Sequence, residues 1–164
     1  MSWAHRQDDE WRAFTEENVK GDGTLLFGRV TYEMMARFWP TPEAVKALPA
    51  VARRMNGGRK VVFSRTLDQA SWSNTLLVKG DPAAEVARMK REPGPDLVVL
   101  GSATIVPLLA QARLVDEFQL AVAPVVLGSG KSMFAGIGEP LALRLKATRT
   151  FGNGSVLLTY EPAR

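Results

Sequence analysis

The sequence predicts an α/β fold of three layers: a mixed sheet, mostly parallel, closed by an antiparallel C-terminal hairpin, with helices on both faces. Three observations carry this. Residues 25–27, 60–64, 75–78 and 97–100 are short apolar or β-branched runs without strict polar alternation, the pattern of strands buried on both faces. Helical patterns fall between them, and alternating strands and helices imply parallel pairing through right-handed crossovers. Beyond Asp116 the pattern changes: residues 117–127 form a long β-type run, and 143–151 and 155–160 are strands joined across G-N-G.

Taken in order, residues 8–20 read as a short amphipathic helix. Asp8, Asp9 and Glu10 lie near the positive end of its dipole, Trp11 and Phe14 are one turn apart, and Gly21 stands where it stops. Residues 32–39 form a second helix, ended by Pro40. Residues 81–90 form a third, with Asp81 as N-cap and Pro82 at the first helical position. In residues 104–113, Ile105, Leu108, Leu109 and Ala112 recur at helical spacing, and Pro107 is tolerated only near the first turn. The proline-marked segments 40–49 and 92–95 are loops too short to link domains, so a single domain over residues 1–164 is expected.

Composition removes several chemistries. The 164-residue chain has no cysteine, which excludes disulfides, thiolate metal sites and a cysteine nucleophile. Its one histidine, His5, lies at an N-terminus expected to fray, so neither a Ser-His-Asp triad nor a histidine-rich metal site is expected. With 46% hydrophobic and 23% charged residues, no long apolar span and no signal-like N-terminus, the cytoplasm is the expected compartment. The net charge of +4 suits a protein that meets anions, but the basic residues are dispersed and no nucleic-acid recognition motif is present.

Two strand ends share one design. In T-L-L-F-G-R-V-T-Y-E-M-M the strand stops on Gly28 and a helix opens through Arg29, Val30 and Thr31; in L-V-V-L-G-S-A-T-I it stops on Gly101 and continues through Ser102, Ala103, Thr104 and Ile105. A strand that ends in glycine and feeds a helix presents unpaired N–H groups and a positive dipole end, where a phosphate can sit. Two such turns on neighbouring strands can hold the two ends of a pyrophosphate, although neither is a G-x-G-x-x-G or P-loop motif and each is also plain turn geometry. A third strand end, V-V-F-S-R-T, groups Ser64, Arg65 and Thr66, the donors a monophosphate needs, or else a solvated strand end. L-G-S-G-K, with Leu127, Gly128, Gly130 and Lys131, lacks Walker spacing and reads as a loop over a ligand or a tight turn. Trp3, Trp39 and Trp72 are able to stack on a flat ring, or to fill core and rim.

In this order, F-G-R-V-T-Y-E-M-M, K-V-V-F-S-R-T-L, L-V-V-L-G-S-A-T-I-V-P-L-L and L-V-D-E-F-Q-L-A-V-A-P-V-V-L-G-S-G-K-S-M-F resemble the dihydrofolate reductase-like superfamily. The likeness is greatest to the reductase domain of bifunctional riboflavin-biosynthesis deaminase-reductases and their stand-alone bacterial relatives. The resemblance implies a dihydrofolate reductase-like domain and NADPH-dependent hydride transfer to a pterin-like or pyrimidine-like heterocycle. The Gly28–Thr31 and Gly101–Ile105 turns would hold the pyrophosphate and nicotinamide side, and Ser64, Arg65 and Thr66 the adenosine 2′-phosphate. Trp39 and the loop residues Leu127, Gly128, Gly130 and Lys131 are the candidate substrate contacts; no catalytic acid is assigned, and no metal is expected. The alternative is a non-catalytic binder of nucleotides or small ligands on the same scaffold.

Such proteins usually open with an apolar central strand, and here M-S-W-A-H-R stands in its place. Either the start has been assigned too far downstream, or the chain is shortened, or its sheet closes differently. The remaining blocks match without further gaps, which favours a shortened chain. Otherwise residues 97–100 and 119–125 pair directly or accept a strand from a partner subunit, so a homo-oligomer, a dimer, is expected. Asp9, Glu10, Glu16 and Glu17 compete for the place of a pterin-anchoring carboxylate.

Overall fold

The structure, a computed structural model, describes residues 8–163; Trp3 and His5 lie outside them. Its elements run α1 (Asp9–Asn18), β1 (Thr24–Gly28), α2 (Arg29–Phe38), α3 (Pro42–Ala47), α4 (Pro49–Gly57), β2 (Lys60–Phe63), β3 (Thr75–Val78), α5 (Pro82–Arg91), β4 (Leu97–Val99), α6 (Ile105–Gln111), β5 (Phe118–Val122), β6 (Leu143–Thr150) and β7 (Val156–Pro162). Strands β1 to β4 form a parallel sheet in the order β3-β2-β1-β4. The last three form an antiparallel sheet in the order β5-β7-β6.

Side-chain alternation along β1 and β2 divides the core between the two faces of the parallel sheet. Leu25, Phe27 and Val62 join Tyr32 of α2, Val51 and Met55 of α4, and Trp72 on one face. Leu26, Val61 and Phe63 join Val86 of α5 and Ile105 and Leu109 of α6 on the other. Helices therefore cover both faces of the sheet, and its two inner strands are apolar after their first residues, Thr24 and Lys60, as burial on both faces requires. Lys60 is the charged one of the two, at 1% exposure. Its Nζ donates to the carbonyls of Met55, Asn56 and Gly58 at 2.8, 3.1 and 2.7 Å and lies 4.5 Å from the centre of the Trp72 ring, so it satisfies orphan carbonyls at the end of α4.

Three expectations need correction. Residues 40–49 are not a plain loop: they contain α3 and the start of α4. Pro42 and Pro49 stand in the first turns of these helices, where a missing N–H costs nothing, and Thr41 caps α3 by accepting from the Ala44 N–H at 3.2 Å. The prolines start helices there rather than marking a loop. Secondly, the parallel and antiparallel strands form two sheets instead of one continuous mixed sheet, and residues 97–100 and 119–125 do not pair with each other. The β run expected over 117–127 ends at Val122 because the chain turns at Ala123 and Pro124, where the Val125 N–H bonds back to the Ala123 carbonyl. Among the described residues, β4 pairs only with β1 and β5 only with β7.

The expected hairpin is present as β6 and β7, turning at Phe151–Ser155 with Gly154 at φ +82°. Helix α1 fastens to this turn. Asp8 caps the helix through the Trp11 N–H at 2.7 Å, and the Trp11, Phe14 and Phe151 rings cluster with centroids 4.7 to 5.6 Å apart. Glu10 accepts from the Gly152 N–H at 3.0 Å and pairs with Arg149 at 3.3 Å.

Candidate functional site

The strand order shows where a ligand would sit. The chain goes outward from β1 to β2 and β3, then returns to place β4 on the other side of β1. The strand order therefore reverses between β1 and β4, and in open α/β sheets ligands bind outside the carboxyl ends of the strands at such a switch point. Gly28 ends β1 there, and the Gly101 turn follows β4.

These two turns touch. The Thr24 N–H bonds to the Asp96 carbonyl at 2.7 Å, and β1 pairs with β4 as far as Leu26 and Val99. Two residues farther on, the Gly28 N–H would be due to meet the Leu100 carbonyl in a regular parallel ladder. It donates instead to the Ser102 Oγ, at 2.9 Å. Gly101 and Ser102 both have positive φ, +68° and +61°, so the β4 backbone swings away and a side chain takes over the ladder position. The approach is close enough to demand glycine: a Cβ on Gly28 would lie 2.7 Å from Ser102 Oγ and 2.9 Å from Thr104 Oγ1.

The two turns differ in what they offer. Gly28 is the N-cap of the ten-residue α2 and has no side chain to close it, so first-turn N–H groups are left at the carboxyl edge of the sheet, with Arg29 and Val30 exposed beside them. The Arg29 guanidinium leans on Glu33, 3.2 Å from both carboxylate oxygens. By contrast, the N–H groups of Ile105 and Val106 at the start of α6 both bond to the Ser102 carbonyl, at 3.0 and 3.1 Å. Those amides are already used, contrary to the expectation of open N–H groups at both turns; what remains open is space around Gly101, where a built Cβ meets no atom within 4 Å.

The third strand end lies on the other side of β1, because β2 is its other neighbour. The Ser64 N–H bonds to the Val78 carbonyl at 3.0 Å, and Ser64 Oγ accepts from the Thr66 and Leu67 N–H groups at 3.2 and 3.0 Å, so this serine shapes the turn. Arg65 is exposed and pairs with no described residue. Lys79, which no motif marked, follows β3 and is also exposed. Phe63 and Val78 are in register, so Lys79 stands beside Ser64; a basic residue directly after a strand was its only signal. The edge thus presents, in spatial order, the ends of β3, β2, β1 and β4.

Residues 1–157 match the family model of the RibD C-terminal domain. The chain belongs to the RibD C-terminal domain family. It is 31% identical to each of two uncharacterized Bacillus subtilis (strain 168) proteins. With YyaP the match covers 138 residues, 84% of this chain and 73% of that protein; with YwjB it covers 141 residues, 85% and 74%. Among solved structures, a Shewanella sp. PV-4 protein named for riboflavin biosynthesis superposes with a TM-score of 0.72 at 20% identity, over 100% of this chain and 88% of that one. A pyrimidine reductase-like protein from Corynebacterium diphtheriae gives 0.61 at 12% identity, over 96% and 83%. The two solved structures share the fold of this RibD C-terminal domain chain, which is dihydrofolate reductase-like, and the family points to a reductase-type role.

The candidate substrate contacts are dispersed. Trp39 stands at the far end of α2 from Gly28; its carbonyl accepts from Asn56 Nδ2 at 2.9 Å, and Asn56 also receives the Trp72 Nε1–H at 2.9 Å. That places it near the start of β2, away from the carboxyl edge. Leu127, Gly128, Gly130 and Lys131 lie in the exposed segment after β5, with Gly128 at φ +72°. Of the competing carboxylates, Glu10 is spent on Arg149 and Gly152, whereas Asp9 and Glu17 are exposed and Glu16 is half-buried.

Proposed function

We propose that this chain is an NADPH-dependent reductase that delivers a hydride to a pterin-like or pyrimidine-like heterocycle, acting as a single cytoplasmic domain and as a homodimer. One observation carries the reading: the ends of β2, β1 and β4 stand side by side on one edge, with the two glycine turns joined at the switch point. The residues present suit a dinucleotide. Gly28 is held where a side chain cannot fit, Gly101 leaves open space, α2 has no side-chain cap, and Arg65 has no partner among the described residues.

In this reading the first turn of α2, with Arg29, Val30 and Thr31, takes pyrophosphate oxygens, and residues 101–105 lie along the nicotinamide side. Arg65, between Ser64 and Thr66, takes the 2′-phosphate through charge-assisted bonds. The reduced cofactor supplies the hydride; the chain's own work is to bind, orient and exclude water. Trp39 stands far from these turns, so the loop with Leu127, Gly128, Gly130 and Lys131 is the stronger candidate for the substrate side. Support for the dimer comes from the unpaired edges of β4 and β5 among the described residues, and from Val122, Val125 and Val126, which are 52%, 44% and 96% exposed.

The test is a fluorescence titration with NADPH, followed by a spectrophotometric assay of NADPH oxidation against a panel of oxidised pterins and aminopyrimidines. Saturable binding with turnover of at least one compound is expected. Binding without any turnover would favour the non-catalytic nucleotide binder, and no binding would end the reading.

A further inference from the structure

We infer that Ser102 is a positioning residue: its side chain latches the turn after β4 to the end of β1 and so fixes the spacing of the two turns that receive the dinucleotide. The inference rests on the reading above and goes beyond it, because the Ser102 hydroxyl acts here through Gly28. Three independent features of the fold meet at this residue. Ser102 is 7% exposed, and its Oγ accepts the Gly28 N–H at 2.9 Å in the place of a ladder carbonyl. Its own carbonyl accepts from Ile105 and Val106, so the same residue holds the start of α6. Its φ of +61° is uncommon for a residue with a side chain, and it follows Gly101 at +68°.

A non-glycine residue in the left-handed region persists only where its surroundings hold it, and such residues cluster at ligand sites. The fold does not need a side chain here merely to leave β4, because a glycine at 102 would adopt the same conformation without strain. What a glycine lacks is the hydroxyl. Serine at this position accepts the strain and supplies an acceptor to a buried N–H that would otherwise have none. The latch thereby converts the backbone swing after Val99 into a fixed contact between the two turns.

The test separates the hydroxyl from the strain. Ser102→Ala and Ser102→Gly both remove the acceptor, but only the glycine relieves the backbone; Ser102→Asn keeps a side-chain acceptor in a residue that tolerates positive φ. Amide hydrogen exchange at Gly28 reads the latch directly, and NADPH titration reads its consequence. Both acceptor-less variants should lose Gly28 protection and bind NADPH at least about tenfold more weakly, with Ser102→Asn recovering part of both. Ser102→Gly should keep the wild-type melting temperature within a few degrees, which separates loss of the latch from loss of the fold. Retained Gly28 protection in Ser102→Gly overturns the latch, and lost protection with unchanged NADPH affinity overturns the positioning role. If the wild type binds no NADPH, the functional reading fails and the positioning role with it, while exchange at Gly28 still decides whether the latch exists.

Discussion

At the scale of single residues, the site depends on contacts that a sequence cannot show. Gly28 and Gly101 were both visible as strand-ending glycines, but they are glycine for different reasons: Gly28 because Ser102 and Thr104 press on it, Gly101 because its φ is positive. Only the folded geometry distinguishes a steric reason from a conformational one. Gly28→Ala should therefore be the more damaging to the joined turns, since its Cβ would meet Ser102 Oγ at 2.7 Å. A loss of about 1–3 kcal/mol in unfolding free energy is expected, as for other overpacked sites, and denaturant melts would show it. Gly101→Val has space for its side chain but a strained backbone, and should weaken NADPH binding by crowding the open face; an unchanged dissociation constant in the folded variant would remove Gly101 from the site.

At the scale of elements, the strands were legible because buried parallel strands are continuous apolar runs, and the hairpin because G-N-G interrupts two β patterns. Helices α3 and α4 were not, because their N-terminal prolines resemble loop punctuation until a cap such as Thr41 is seen. Lys60 was legible only as part of a strand, although burial, with the Arg54 charge as second cause, pushes its ammonium down to about 8 from 10.5. Between those pH values the unfolded chain holds a proton at Lys60 that the folded chain has released. Stability should therefore rise with pH across that window. Lys60→Met should abolish this rise in chemical melts at pH 7 to 10.5; a rise identical in the variant would contradict it. Trp11→Ala, which empties the α1 contact with Phe14 and Phe151, should cost about 2–4 kcal/mol in the same melts.

At the scale of the whole molecule, parallel pairing and helices on both faces were legible, but the strand order and the break between the two sheets were not. No local pattern records which edges meet. If β4 and β5 find partners in a second copy, light scattering should give a molar mass near twice 17.9 kDa at micromolar concentration; a monomer would leave the edges to some other partner. The proposed function has three strand ends on one edge bind a phosphorylated dinucleotide, with Arg65 reading the 2′-phosphate. It is tested most directly by the ratio of NADH to NADPH dissociation constants in the wild type and in Arg65→Ala. Loss of a charge-assisted contact predicts a wild-type ratio of about 10 or more that collapses towards 1 in the variant, with NADH affinity unchanged. Equal affinities in the wild type, or a preference that survives the substitution, would contradict it.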